Sequence, residues 1–414
     1  MTKILKTRFI YISALEYSNV FITQVIDWLH SYQEKGVVFE IWRTSSIKKC
    51  FSLDERKETA LIRNHFHGRV KKLYIAPIQI FFGVVFNTLL LLLLVLPQLI
   101  TKKCILIQTR GVDLWRSLKY LNMLAPKRIK IIYDSRGAAG EEKIYSNLEN
   151  SRHAKIKSDR ISLAEEQMIQ ISDKIFCVSN VLIEYHLKNN PTIDISKFYL
   201  YPCCASSFDF YYSSDFRNQI RKQHQLEQKK VIIYSGGLKL AWHIPDRIFE
   251  LFAGLNKLDK SYFLIVLSPD TELAKQFILK YSIPEESVLT ISVNNSEVVK
   301  YLCASDIALL LRDDVPMNNV ASPTKFAEYI MTGLPVIISK NVGDFSNFVS
   351  ENDLGYVFNN DFSTVSYSEL HSCLIKKFES YSSRRNDIAK LGLDKYSKVI
   401  NTNAIIAQYH SLTP

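Results

Sequence analysis

The stretch ASPTKFAEYIMTGLPVI, Ala321–Ile337, reads as a helix that runs at once into a strand. Ser322 is a good N-cap and Pro323 suits the first helical position. Phe326, Tyr329 and Ile330 recur at helical spacing and form the core side. Gly333 ends the helix, and Leu334–Ile338 is a short buried strand. The opposite face carries Thr324, Lys325 and Glu328, spaced three and four apart and therefore neighbours. The N–H groups of a helix start, with a hydroxyl and a lysine beside them, suit a phosphate. A carboxylate one turn further on suits the hydroxyls of a ribose. Together these residues describe a grip for a sugar nucleotide. The plainer alternative is a solvated helix face with a lysine–glutamate pair.

Composition sets the frame for that motif. A chain of 414 residues predicts two or three domains, and 47% hydrophobic with 22% charged residues is an ordinary globular mixture. The net charge of +11 favours anionic partners such as nucleotide phosphates, nucleic acid or an anionic membrane face. The basic residues read as dispersed and the aromatics follow core periodicity, which argues against nucleic acid. Seven scattered cysteines without a C-x-x-C pair point to reduced thiols in a cytoplasmic setting rather than to zinc or a disulfide framework. The tandem Cys203–Cys204 reads as packing rather than redox chemistry. Arg8–Leu15 is too short an apolar run for a secretory signal.

Along the chain, Arg8–Ser13, a helix over Asn19–Leu29 and a strand over Val37–Trp42 make a βαβ opening. That opening predicts a parallel, doubly wound sheet. Ser46–Lys71, with His65 and His67, reads as a polar surface loop. Leu73–Ile100 is free of charge, contains six consecutive leucines at Leu89–Leu94, and is flanked by Lys71, Lys72, Lys102 and Lys103. Its length would license a transmembrane helix. However, Ile105–Gln108 follows as a strand of the same sheet, and Pro77, Pro97 and Asn87 interrupt the run. A helix leaning on a membrane and pinned by the lysines is the preferred reading, with a spanning helix or a wholly buried core helix as alternatives.

Further strands are expected at Ile129–Tyr133, Lys174–Val178 and Phe198–Tyr201, with helices at Leu163–Ser172 and Val181–Lys188. Ser206–Glu227 shows no strand periodicity and reads as a linker. A second sheet then runs through Val231–Tyr234, Phe263–Leu267, Val288–Ile291, Ile307–Leu311, Pro335–Ser339 and Gly355–Phe358, with Trp242 and His243 opening the helix after its first strand. Lys395–Tyr409 is the last helix. Arg110 and Arg136 sit at strand ends of the first sheet, and Gly236-Gly237 at one of the second, where ligands of open α/β sheets bind. Each arginine could instead pair with a local carboxylate. The two-sheet plan places a ligand cleft between the domains.

The segment LLLRDDVPMNNVASPTKFAEYIMTGLPVI, with IYDSRGAAGEE, YPCC and YSGGLKLAWH, resembles bacterial glycosyltransferases of family 4, also called group 1, which have the GT-B fold. The resemblance implies two Rossmann-like doubly wound parallel-sheet domains. These would be an acceptor-side domain over 1–205 and a nucleotide-sugar domain over 228–394. A linker over 206–227 would join them, and 395–414 would pack back on the first domain. It further implies that Glu328 binds the ribose and that Ser322, Thr324 and Lys325 hold the donor diphosphate. Gly236 and Gly237 would lie close by, and Lys239 and Arg312 would add positive charge. Arg110, Arg136 and Glu142 would line the acceptor side. Arg136, Glu142 and Lys325 are the candidate catalytic residues.

Two departures stand out. Where relatives often have a first glutamate, this chain has Val320, so Asn318, Asn319 or Asp313 would face the sugar hydroxyls. Gly237 stands where many carry an arginine, for which Lys239 would compensate. The absence of an Asp-x-Asp triple fits a metal-independent reaction without a cofactor, using a UDP or GDP sugar. The implied activity is retaining, hexosyl-type transfer to a lipid-linked glycan at the cytoplasmic face of a bacterial inner membrane. Its products would be surface polysaccharides such as capsule, lipopolysaccharide O-antigen or exopolysaccharide. The rivals are an inactive membrane-associated scaffold and a nucleotide-sugar epimerase.

Overall fold

The computed structural model describes residues 7–77, 80–145, 151–239, 241–359 and 366–413. The chain divides into two compact units, Met1–Pro202 with Asn401–Pro414, and Cys203–Ile400. The first unit holds a seven-stranded parallel sheet of order β3-β2-β1-β4-β5-β6-β7. Its strands are β1 Thr7–Ser13, β2 Phe39–Ser46, β3 Val70–Ile75, β4 Cys104–Arg110, β5 Ile129–Ser135, β6 Lys174–Cys177 and β7 Phe198–Leu200. The second holds a six-stranded parallel sheet of order β10-β9-β8-β11-β12-β13. It is built from β8 Lys230–Ser235, β9 Tyr262–Leu267, β10 Val288–Ile291, β11 Ile307–Leu310, β12 Val336–Ser339 and β13 Gly355–Phe358. Most central strands are near-continuous runs of Ile, Leu, Val and aromatics, because helices cover both sheet faces and alternation has no purpose there. In the second unit two apolar clusters lie on opposite faces of the sheet, one around Ile233, Phe326 and Ile338, the other around Ile232, Phe249 and Ile337.

Several sequence expectations change. The segment 206–227 is not a free linker. It lies inside the second unit and carries the helix Ser214–Gln223, capped by the Ser213 hydroxyl. Arg217 and Arg221 of that helix grip Asp306 at 2.6 and 3.2 Å, and Asp306 also accepts the Val231 N–H at 2.8 Å. Polar residues that look like a linker therefore bind a carboxylate at the foot of β11. The final helical region is two helices, Arg385–Tyr396 and Lys398–Leu412. They break at Ser397 because Ala205 pairs with the backbone there, donating its N–H to Tyr396 and accepting that of Lys398. Beyond the break, the buried Tyr409 donates its hydroxyl to Gln108 at 2.8 Å inside the first unit. The stretch around His65 is also helical, Leu53–His65, with His67 in the loop before β3.

The leucine run forms one helix, Phe81–Ile100, which crosses over between β3 and β4. Only Gly83, Val84, Asn87, Leu91 and Val95 are buried, a single stripe, so this is not a wholly buried core helix. By length and composition it could cross a membrane. Asn87 pins its start, exchanging hydrogen bonds with both the N–H and the C=O of Ala76. Lys71 and Lys72 lie on β3 and do not flank the helix as free charges. Lys71 sits over the Trp42 ring, and Lys72 pairs with the buried Glu55 at 2.8 Å. Cys203 and Cys204 are both buried and in no disulfide, consistent with packing.

Replacing Asp306 by Ala strands two arginines that are mostly out of solvent. It should cost about 3 kcal/mol of stability. Urea unfolding of wild type and Asp306→Ala measures this directly.

Candidate functional site

In the second unit the carboxyl ends of β8 and β11 meet the start of helix Thr324–Met331. That helix begins with Pro323 at its N-cap and no side-chain cap. The expected cap is otherwise engaged: the Ser322 hydroxyl accepts the Cys203 N–H at 3.2 Å. The helix therefore presents its first N–H groups without a competing side chain, as an anion site requires.

Lys325 lies against the strand-end loop. Its ammonium donates to the Tyr234 hydroxyl at 3.3 Å and sits 4.6 Å from the centre of that ring. Gly236 takes φ of +135°, and a Cβ there would fall 2.1 Å from Lys325 Nζ. The positive φ favours glycine, and a Cβ there would also push the end of the Lys325 side chain aside. The Tyr234 hydroxyl in turn donates to Gly237 O at 2.8 Å. On the other side the Ser235 N–H donates to the Tyr329 hydroxyl, tying β8 to the same helix.

Arg312 follows β11, buried, with its N–H on the Ser339 hydroxyl and its guanidinium near Trp242 O. Burial, with Arg312 adding repulsion and Glu328 opposing, brings the Lys325 ammonium down to about 7. Burial raises Glu328 to about 7, against the pull of Lys325 and Lys398. A cation, an anion and a helix start thus sit together, each made costly by loss of water. Such perturbed groups mark functional sites.

His243 is a neighbour that sequence reading placed only at a helix start. It belongs to a short turn, Ala241–His243, and the helix proper is Pro245–Leu258. Its Nδ1 lies 2.6 Å from Gly237 O and so carries the proton. Burial, with Lys325 and Arg312 nearby, lowers its pKa to about 3, so the ring is neutral. The signal lay in its spacing from Gly237, which only the turn makes meaningful. Lys239 is exposed and ion-paired with Asp270 at 3.0 Å, at the rim of this cluster. Asp270 also accepts the Leu238 N–H. Of the residues expected to replace the first glutamate, Asn318 is buried and donates to Asp313 O, while Asn319 donates to Asp314. Val320 is buried.

In the first unit the carboxyl ends of β4 and β5 bring Arg110, Arg136 and Glu142 to one region. Arg136 is 2.6 Å from the buried Asp134 and lies over Tyr201 at 4.3 Å. The pairing with a local carboxylate is therefore what the fold builds, and Arg136 is a fixed element rather than a free reaching arm. Asp134 also accepts from Tyr11 at 2.7 Å. Arg110 donates to Gln24 at 2.8 Å. Glu142, on helix Ala139–Tyr145, turns its carboxyl over Gly137. Desolvation there raises its proton affinity, and Arg110 acts in the opposite direction. Glu165, unforeseen in sequence, is buried behind this region, held by Tyr133 at 2.7 Å, and raised to about 7 by desolvation.

Residues 216–390 match the family model of glycosyl transferases, group 1. No curated protein gives a significant sequence match. Among solved structures, HepE of Anabaena in complex with UDP aligns with a TM-score of 0.66 at 13% identity, over 98% of this chain and 99% of that one. Sucrose-phosphate synthase of Thermosynechococcus elongatus aligns at 0.62 with 14% identity, over 98% of both. A structure named as a putative UDP-N-acetylglucosamine 2-epimerase from Listeria monocytogenes aligns at 0.57 with 11% identity, over 98% and 96%. These likenesses establish the GT-B fold. Since structures named for a synthase and for a putative epimerase share it, the fold alone does not choose the reaction.

Two outcomes follow from the geometry. Gly236→Ala should displace Lys325 and abolish nucleotide binding, read by calorimetry, while far-UV circular dichroism stays native. Lys325→Met removes a poorly solvated ammonium from beside Arg312, so it should raise the melting temperature of the free protein by roughly 2–4 °C, the usual consequence of about 1 kcal/mol.

Proposed function

We propose that this chain is a glycosyltransferase that binds a UDP-sugar in its second unit. It would transfer the sugar, with retention of anomeric configuration and without a metal, to a lipid-linked glycan acceptor. The observation that carries the reading is the meeting of Lys325, Arg312, the uncapped start of helix Thr324–Met331 and Glu328 around Gly236. This is the chemistry of a nucleoside diphosphate: two cations and helix N–H groups for the phosphates, and a carboxylate a turn later for the ribose. When the anomeric C–O bond to the diphosphate breaks, negative charge grows on the leaving oxygen. Groups already fixed and partly desolvated stabilise it without reorganising. The neutral His243 beside Gly237 offers its Nε2 as a hydrogen-bond acceptor for the donor.

The match of residues 216–390 to group 1 glycosyltransferases supports the transferase over the epimerase. The hexosyl character of the donor, a place in capsule or O-antigen assembly and a location at the cytoplasmic face of a bacterial inner membrane are part of the same proposal. The apolar helix Phe81–Ile100 supports the membrane location.

A thermal-shift panel of UDP, GDP and their sugar conjugates tests this. UDP and one UDP-sugar should stabilise wild type by mass action, about 2.7 kcal/mol at a hundredfold excess over Kd. Glu328→Ala should lose most of that shift. A wild type stabilised by no nucleotide would overturn the reading.

A further inference from the structure

Helix Phe81–Ile100 exposes Phe81, Phe82, Val85, Phe86, Leu89, Leu93, Leu96 and Ile100, the first two at 72% and 79% of full exposure. The patch does not stop there. The neighbouring helix Trp115–Leu124 adds Tyr120, Met123 and Leu124, exposed at 50%, 67% and 62%. Arg128, just beyond it, donates to Leu99 O at 2.9 Å, which fixes the foot of one helix against the foot of the other. This is far more than the scattered apolar residues of an ordinary surface.

Its charge is equally one-sided. Residues 59–133, which contain both helices, hold 12 of the chain's 52 Lys and Arg but one of its 41 Asp and Glu. All of the net +11 therefore lies in this segment, and the rest of the chain balances to zero. The basic residues themselves stay dispersed along the sequence; the net charge gathers here because acidic residues are nearly missing from the segment. Lys102, Lys103, Arg116, Lys119 and Lys127 of this segment are exposed. Lys102, Lys103 and Lys127 lie beyond the helix ends, Arg116 in the first turn of Trp115–Leu124 and Lys119 midway along it, while Lys71 and Lys72 are turned inward.

We propose that the outward face of these two helices is a monotopic docking surface for an anionic lipid bilayer, with Phe81–Ile100 lying in the plane of the interface. The proposal rests on the membrane-linked acceptor above and assigns the surface and its orientation. Aliphatic and aromatic side chains enter the headgroup region while lysines at the margins meet lipid phosphates. Nucleic acid would meet a continuous aliphatic surface, Val85, Leu89, Leu93, Leu96 and Ile100, between the exposed rings and the lysines, where it needs a positively charged groove. Spanning is disfavoured by the fold: the helix is packed along a stripe against its own domain, and its ends feed two strands of one sheet. Lying flat, about 30 Å of helix rests on the membrane.

One consequence concerns the cavity of about 510 Å³ at the carboxyl ends of β1 to β3. Ala76 and Pro77, which lead into the helix, form one wall, and Glu16, Lys48, Lys49 and Asp113 supply polar groups. Docking brings this cavity to the headgroup layer.

The test is flotation of the full chain with phosphatidylcholine vesicles, with and without phosphatidylglycerol, at low and high salt. Wild type should float with the anionic vesicles at low salt, release in high salt in part, and be stripped by alkaline carbonate. Leu89→Glu with Leu93→Glu, both on the exposed face, should lower vesicle binding at least tenfold. The same variant should keep the UDP-induced melting shift, which shows an intact fold and donor site. Undiminished flotation of that variant, carbonate-resistant wild type, binding to RNA but not vesicles, or a lipid-free dimer that the variant dissolves would each overturn the proposal. Flotation without any nucleotide shift would overturn the transferase reading and leave the surface standing.

Discussion

The second unit depends on where it keeps one ammonium. Lys325 is half-buried, faces Arg312 across the end of a sheet, and rests on a tyrosine ring and hydroxyl. Water would solvate that charge better. The arrangement is retained because everything around it is tuned to the same point. Gly236 has no side chain to push it away, Tyr234 braces it, and the helix that carries it starts without a cap. A site of this kind is unstable by itself and becomes stable when an anion arrives, which is the physical meaning of preorganisation. Its cost is met by the apolar layers beneath, where Phe326, Tyr329 and Ile330 are fully buried.

The first unit follows a related rule with a different balance. Its strand-end arginine, Arg136, is neutralised by Asp134 and stacked on Tyr201. Tyr11, Gln108 and, through Gln108, Tyr409 of the final helix join the same network. The charge here is locked rather than poised. Such a network gives a rigid floor beside Arg110 and Glu142 and fixes the end of the chain to this unit.

Both parallel sheets and nearly every strand were legible in the sequence, because strands buried on both faces are continuous apolar runs that few other structures produce. The Lys325–Glu328 spacing was legible for the same reason: helical neighbours three or four apart are a local property. What escaped was set by partners far along the chain. Ser213–Gln223 looked like linker because its arginines are matched by Asp306, nearly ninety positions on. Ser322 looked like a cap until Cys203 claimed its hydroxyl, and Lys72 looked like a flank until Glu55 did. His243 gained meaning only when a turn folded it onto Gly237. Polar groups have several possible partners, and sequence spacing does not rank them.

The charge on Lys325 is read most directly from the proton exchange that accompanies UDP binding, measured by calorimetry in buffers of different ionisation enthalpy. With Lys325 near 7 in the free protein, most of it is neutral at pH 8, so binding a diphosphate there should take up close to one proton. At pH 6 the lysine is already charged, and that uptake should vanish. Lys325→Arg, charged throughout, should show no uptake at either pH. Binding at pH 8 without proton uptake in the wild type, or uptake that persists in Lys325→Arg, would mean that the diphosphate does not bind against a neutral Lys325.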